Sequence, residues 1–252
     1  MRCITIPAIE SSAWTTVTVH GNEFQRFAVP TRWLDEKDGL AAALLEYTEG
    51  RQPGDTVVVS EKVAVLLLDR WVPVASVRAR WDARLIARFV RPGPGARGLS
   101  HPEKMQYVIN TAGRPRIYAA AAAAALTRPF GIRGAFYRVA PTLARDIDGG
   151  RRPYEDKLFP PFTTDEATEI CADLELKLGT GVAIVDINDA YGSIRGVSRG
   201  ALPARLLSDV LVDNPLGQRQ TGTPFGIIRP VRRPAPVEGQ SGTTKPVHSG
   251  AE

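Results

Sequence analysis

The chain has 252 residues, of which 43% are hydrophobic and 23% charged. These proportions leave room for one large domain or two small ones, and they exclude a collagen, a fully disordered chain and a disulfide-built miniprotein. The 32 Lys and Arg against 27 Asp and Glu give a net charge of +5, and arginine outnumbers lysine 26 to 6. The planar donor fork of arginine suits phosphate and carboxylate oxygens, so nucleic acid, nucleotides and phosphorylated metabolites stay open, with a tilt toward small polyanions. Cys3 and Cys171 have no zinc or redox spacing, which predicts a reduced, cytoplasmic protein. The first ten residues have neither a sustained apolar core nor a small-residue cleavage site, so no secretory signal is expected. No apolar run approaches the roughly 20 residues that cross a bilayer, so a soluble chain without a membrane partner is expected.

In chain order, Thr15-Thr-Val-Thr-Val-His20 alternates as a half-buried strand does. Trp33 to Tyr47 changes to helical spacing, with Leu40, Ala41, Leu44 and Leu45 as its core face. Asp55-Thr-Val-Val-Val-Ser60 follows a Pro-Gly turn and reads as a buried strand. Ala83 to Val90 predicts a helix burying Leu85, Ile86 and Phe89. Ser100-His-Pro-Glu103 predicts a helix start with Ser100 as N-cap. The seven alanines Ala119 to Ala125 favour a closely packed helix. Residues 165 to 178 predict a helix stopped by Gly179, followed by the buried strand Val182 to Ile187. Thr223 to Arg229 gives a last strand, and the chain from about Arg232 has little to bury, which predicts a disordered tail over 232–252 after a single domain over 1–231.

Several familiar chemistries are absent or weak. Gly93-Pro-Gly-Ala-Arg-Gly98 fits G-x-G-x-x-G but follows a helix and contains proline, against the strand-turn-helix context of a dinucleotide site. There is no phosphate-loop motif and no nucleophile elbow, and His20, His101 and His248 are too scattered for a triad or a histidine metal site. Acidic residues beside strand ends and glycines remain. Asp146 and Asp148, in Arg145-Asp-Ile-Asp-Gly-Gly150, would share one face of an extended segment and could hold a hard cation, or could form an Asp-Gly turn. Asn188 and Asp189 follow the apolar strand and could reach a metal while Arg195 meets phosphate; capping and turn chemistry is the alternative. Lys62 stands directly after the 55–60 strand, where a cation can meet phosphate or carboxylate. Asn214 and Gln218, in Asp213-Asn-Pro-Leu-Gly-Gln218, could read a ligand or satisfy their own turn.

The order of these segments resembles the coenzyme F(420) gamma-glutamyl ligase family, enzymes that attach glutamate to a deazaflavin precursor. The resemblance runs from about Phe27 to Arg229. It is carried by the Gly-Asp-x-Val-Val-Val-x-x-Lys segment ending at Lys62, the apolar Gly134-Ala-Phe-Tyr137 segment, expected as a strand, leading to Asp148, and the Val-Ala-Ile-Val strand leading to Asn188-Asp-Ala-Tyr-Gly192. It implies a mixed-sheet α+β fold and an intertwined homodimer. The implied activity is amide bond formation between a small carboxylate and an amino acid such as glutamate, through an acyl phosphate, with GTP or ATP as co-substrate and Mg or Mn as the metal.

By this resemblance the metal ligands fall on Asp148 and Asp189, with Asp146 beside them. Lys62 and Arg195 supply fixed positive charge near the phosphates, and Lys62, Asn188, Tyr191, Gly192, Asn214 and Gln218 contact the nucleotide. No nucleic-acid partner is expected. The chain departs from the family where Ala140-Pro-Thr-Leu-Ala-Arg-Asp-Ile-Asp148 replaces Ala-Asn-Ala-Gly-Ile-Asp, and where Asn188-Asp-Ala-Tyr-Gly-Ser-Ile194 replaces Thr-Asp-Thr-x-Gly-Arg-Pro. It reads as a divergent member, with a catalytically silent binder of a nucleotide or deazaflavin-like ligand as the alternative.

Overall fold

A computed structural model describes residues 14–90, 98–132, 134–150, 153–187, 192–217 and 222–231. Its elements, in chain order, are β1 (Thr15–Val19), β2 (Asn22–Val29), α1 (Leu40–Tyr47), β3 (Thr56–Ser60), α2 (Glu61–Leu67), β4 (Val72–Pro73), α3 (Trp81–Phe89), α4 (Pro102–Ala112) and α5 (Arg114–Thr127). They continue with α6 (Ala135–Val139), α7 (Thr142–Asp146), β5 (Asp148–Gly149), β6 (Lys157–Phe159), α8 (Thr164–Leu178), β7 (Gly181–Ile187), β8 (Gly192–Val197), α9 (Ala204–Val210) and β9 (Phe225–Val231). The fold is α+β: a mixed six-stranded sheet in the order β1-β2-β9-β3-β7-β8, and a small sheet in the order β4-β6-β5.

The central strands are apolar throughout because both faces of the large sheet are covered. Val57 and Val59 of β3, with Val182 and Ile184 of β7, face a layer built from α1, α2 and α8. Their neighbours Val58, Ala183 and Val185 face the opposite way, against Leu207, Val210 and Leu211 of α9 and its end. This period of two is what a strand requires of residues that must fill two cores at once. Among the described pairings, β3 and β7 are the parallel neighbours. The crossover between them holds a helical lobe, α3 to α7, with its own core of Leu99, Met105, Ile109, Ile117 and Phe136.

Helix α8 is defined at both ends. Thr163 and Glu166 form a reciprocal capping box, and Gly179 takes the left-handed conformation (φ 69°) that stops the helix. Near its first turn, Gly196 of β8 lets α8 approach the sheet, since a Cβ there would lie 2.5 Å from the backbone of Ala167 and Thr168.

Four local expectations differ from the structure. Residues 134–137 form no strand; Gly134 (φ 77°) opens α6, and Ala135 and Phe136 bury themselves in the helical lobe, packing that an isolated four-residue apolar run cannot signal. Helix α3 buries Asp82, Ala83 and Ala87 and leaves Leu85 and Phe89 exposed, because the small alanines permit close packing within the lobe. The N-cap of α4 is His101, one residue beyond Ser100, with Pro102 at the first helical position, where its missing N–H costs no hydrogen bond. Leu45 of α1 is exposed although Leu40 and Leu44 are buried. The helix starts only at Leu40, because Asp35 caps a separate short turn over Glu36–Asp38. The predicted tail, 232–252, and residues 93–97 of the glycine-rich stretch lie outside the described residues.

Candidate functional site

Because β3 and β7 run parallel, with Ser60 opposite Val185, their carboxyl ends share one edge of the sheet. In open α/β sheets such an edge commonly receives ligands. Glu61 and Lys62 open α2 immediately after β3, and Asp186 lies on β7 one residue before its end. Strand β8 returns with a bulge: Gly196 pairs with Ile184 and Ile194 with Val185, so Arg195 is the extra residue between them. A bulge re-aims its side chain, and Arg195 reaches three carboxylates. Its Nε donates to Glu61 Oε2 at 2.9 Å, one terminal nitrogen to Asp146 Oδ2 at 2.7 Å and the other to Asp186 Oδ2 at 3.0 Å.

Lys62 meets a different acid, with its Nζ 2.5 Å from Asp148 Oδ2. Lys104 of α4 joins them from the helical lobe. It is buried, and it lies against Gly149, where a Cβ would come within 2.8 Å of its Cε and 3.0 Å of its Nζ. A side chain at position 149 would displace this ammonium. Among the described residues Lys104 forms no ion pair, although it feels the charges of both Asp148 and Lys62. The cluster is therefore split. Around Arg195 three carboxylates face one guanidinium, while Lys62 pairs with Asp148 and Lys104 stands beside them, feeling both charges.

Burial perturbs these groups. Desolvation pushes the Glu61 carboxyl up to about 7, against the opposing pull of Arg195 and the Phe162 amide, whose N–H donates to Glu61 Oε1 at 2.9 Å. Asp186 is raised for the same reason, with Arg195 working against the rise. Lys104 is lowered, chiefly by burial, with Asp148 opposing and Lys62 reinforcing. Arg195 is held charged, because Glu61 and Asp146 outweigh its own desolvation.

Of the residues singled out from sequence, Lys62, Arg195, Asp146 and Asp148 come together here. Asp146 and Asp148 do not share one extended face: Asp146 ends α7 and turns to Arg195, while Asp148 opens β5, paired with Phe159, and turns to Lys62. The backbone at Asp148-Gly149 is therefore strand and not the Asp-Gly turn. Gly192 pairs with Ile187 at the base of the β7–β8 connection. Asn214 lies instead in the turn after α9, with φ 51°, beside Asp213, which accepts two hydrogen bonds from Arg26 of β2. Asn188, Asp189, Tyr191 and Gln218 lie outside the described residues.

Glu61, Asp186 and Lys104 were not singled out. The first two carried a signal, since each is a charge abutting or interrupting a buried apolar strand. Lys104 carried none; a lysine in the first turn of a helix ordinarily faces water. An open cavity of about 300 Å³ lined by Leu45, Glu49, Arg51 and Leu178 lies near the opposite edge of the sheet and contains none of the charged cluster.

Among the described residues no three acids are grouped as a metal site. Asp146 and Asp148 each have an oxygen engaged by a cation. A divalent ion at Asp148 would have to take this carboxylate from Lys62. No protein-family model matches the chain, and no curated protein matches it.

Proposed function

We propose that the chain is a nucleotide- and divalent-metal-dependent ligase that forms an amide bond between a small carboxylate and an amino acid. The observation that carries this reading is the split cluster at the carboxyl ends of β3 and β7. Phosphoryl transfer from a nucleotide to a carboxylate is mainly a problem of placing negative oxygens close together and neutralising them. Lys62, paired with Asp148, and Lys104, in no ion pair among the described residues, offer two ammoniums for those oxygens. Arg195, fixed by three acids, braces the strand ends from which the site is built. Mg or Mn, when bound, would neutralise phosphate charge, with Asp148 and Asp189 as its proposed ligands and Asp146 adjacent. GTP or ATP is the proposed co-substrate, glutamate a candidate amine, and a homodimer the proposed assembly.

The test is calorimetry with GTP and with ATP in Mg, in Mn and in chelator, on wild type, Lys62→Met and Asp189→Ala. The expected result is metal-dependent binding, weakened at least about tenfold by Lys62→Met, the scale of one lost charge-assisted hydrogen bond, and abolished by Asp189→Ala. Failure of both nucleotides to bind under every condition would refute the proposal. A second reading, a silent relative that only binds a nucleotide or deazaflavin-like ligand, is favoured by one observation: each nitrogen of Arg195 is already engaged by a protein carboxylate. Phosphate release that depends on a carboxylate and an amino acid excludes it.

A further inference from the structure

Helix α3 carries its amphipathic pattern inside out. At 100° per residue, Asp82, Ala83, Ile86 and Ala87 form the inward arc, while Trp81, Leu85 and Phe89 stand in line on the outward one. These three are 70%, 50% and 62% exposed. Arg84 and Arg88 run alongside the apolar line and Arg80 precedes it, all exposed and, among the described residues, in no ion pair. The one acid of α3, Asp82, is buried and accepts hydrogen bonds from Arg114 and Tyr118 of α5. The outward face is thus aromatic, aliphatic and basic, with no acid of its own.

The surrounding lobe has the same character. Residues 71–146 hold 13 Lys and Arg against three acids, Asp82, Glu103 and Asp146, while the rest of the chain has 19 against 24. Eight of the thirteen large apolar side chains exposed among the described residues lie between Trp81 and Val139. This charge makes a second copy of the same face a poor partner, because a two-fold contact would set arginine against arginine. It calls for an anionic surface. Nucleic acid would use the arginines and could stack on Trp81 and Phe89, but Leu85, which stands between them, has no base-stacking role. An anionic bilayer uses both sets: aromatic and aliphatic side chains enter the acyl boundary while arginines remain among the headgroups.

We propose that the outward face of α3, with Trp81, Leu85 and Phe89 between its arginines, docks this protein on an anionic lipid surface. Among the described residues no helix is long and apolar enough to cross a membrane, so the contact lies in the plane of the interface. The experiment is co-sedimentation of the full chain with vesicles of phosphatidylcholine alone and of phosphatidylcholine mixed with an equal part of phosphatidylglycerol. Leu85→Asp and the double change Arg84→Ala with Arg88→Ala serve as variants. Both alter exposed positions, and melting curves check that each is folded.

The expected result is binding to the mixed vesicles only, lost in Leu85→Asp and weakened about 25-fold in the double variant, about fivefold per arginine. Wild type that ignores the mixed vesicles overturns the proposal. So does Leu85→Asp that binds them as wild type does, which would leave charge alone. Binding of a single-stranded RNA oligomer in place of vesicles, or a dimer that Leu85→Asp dissociates without any vesicle binding, reassigns the face and overturns it as well.

Discussion

Glu61 is the cluster's most informative titrating group, and Glu61→Gln isolates it. Its carboxyl is raised from 4.5 to about 7, first by burial and in smaller part by the nearby Asp186 charge. Between those two pH values the folded chain keeps a proton at Glu61 that the unfolded chain has released, so stability falls as pH rises through the window and levels off above it. At about 1.4 kcal/mol per pH unit, the swing is about 3 kcal/mol. Glutamine retains an oxygen to accept the Phe162 N–H, and it cannot ionise. Urea unfolding at pH 5, 6, 7 and 8 measures the effect as the difference in stability between wild type and variant. That difference should move against wild type by about 3 kcal/mol across the window. Asp186, raised by its own burial, titrates in both proteins, and because its charge is coupled to that of Glu61 the difference reports the pair, with Glu61 as its larger part. A difference that stays flat from pH 5 to 8 would refute the assignment of a strained, buried carboxyl to Glu61.

Two further perturbations address the same region. Arg195→Met leaves Glu61, Asp146 and Asp186 without their shared cation and should cost about 3–5 kcal/mol at pH 8, the scale of a broken buried pair, read from denaturant midpoints; a loss under 1 kcal/mol would mean water already solvates these acids. Gly196→Ala places a methyl against the α8 backbone at 2.5 Å and should cost about 1–3 kcal/mol by thermal melting, whereas an unchanged melting temperature would show that α8 has room to move.

The central strands were legible because their residues face no choice. Val57 to Val59 and Val182 to Val185 are buried on both sides, and an uninterrupted β-branched run is the only pattern that satisfies two cores. Gly179 was legible for a similarly local reason, since it ends α8 in a left-handed conformation that favours glycine. Helix α3 was not. Its apolar spacing is helical, but which side faces the lobe depends on how closely Ala83 and Ala87 allow its neighbours to come, and that is a property of the partner elements. The site divides the same way. Lys62, Asp146, Asp148 and Arg195 stood beside recognisable strand or loop signals. The bulge that aims Arg195 and the approach of Lys104 to Gly149 depend on a strand register and a crossover that the sequence does not display.

The parallel pairing of β3 with β7 also has a kinetic meaning. The residues it joins are 125 apart in sequence, as are Asp55 and Thr180, which close the other end of the same strands. Bringing such distant segments together is unfavourable until much of the intervening chain is already ordered, and topologies of this kind fold slowly. The helical lobe, whose contacts are local, can form while the two central strands are still apart. Arg195 therefore meets Glu61 only after the crossover closes. Their pairing is a signature of the closed crossover, and a half-folded product would lack the Arg195 part of the charged cluster.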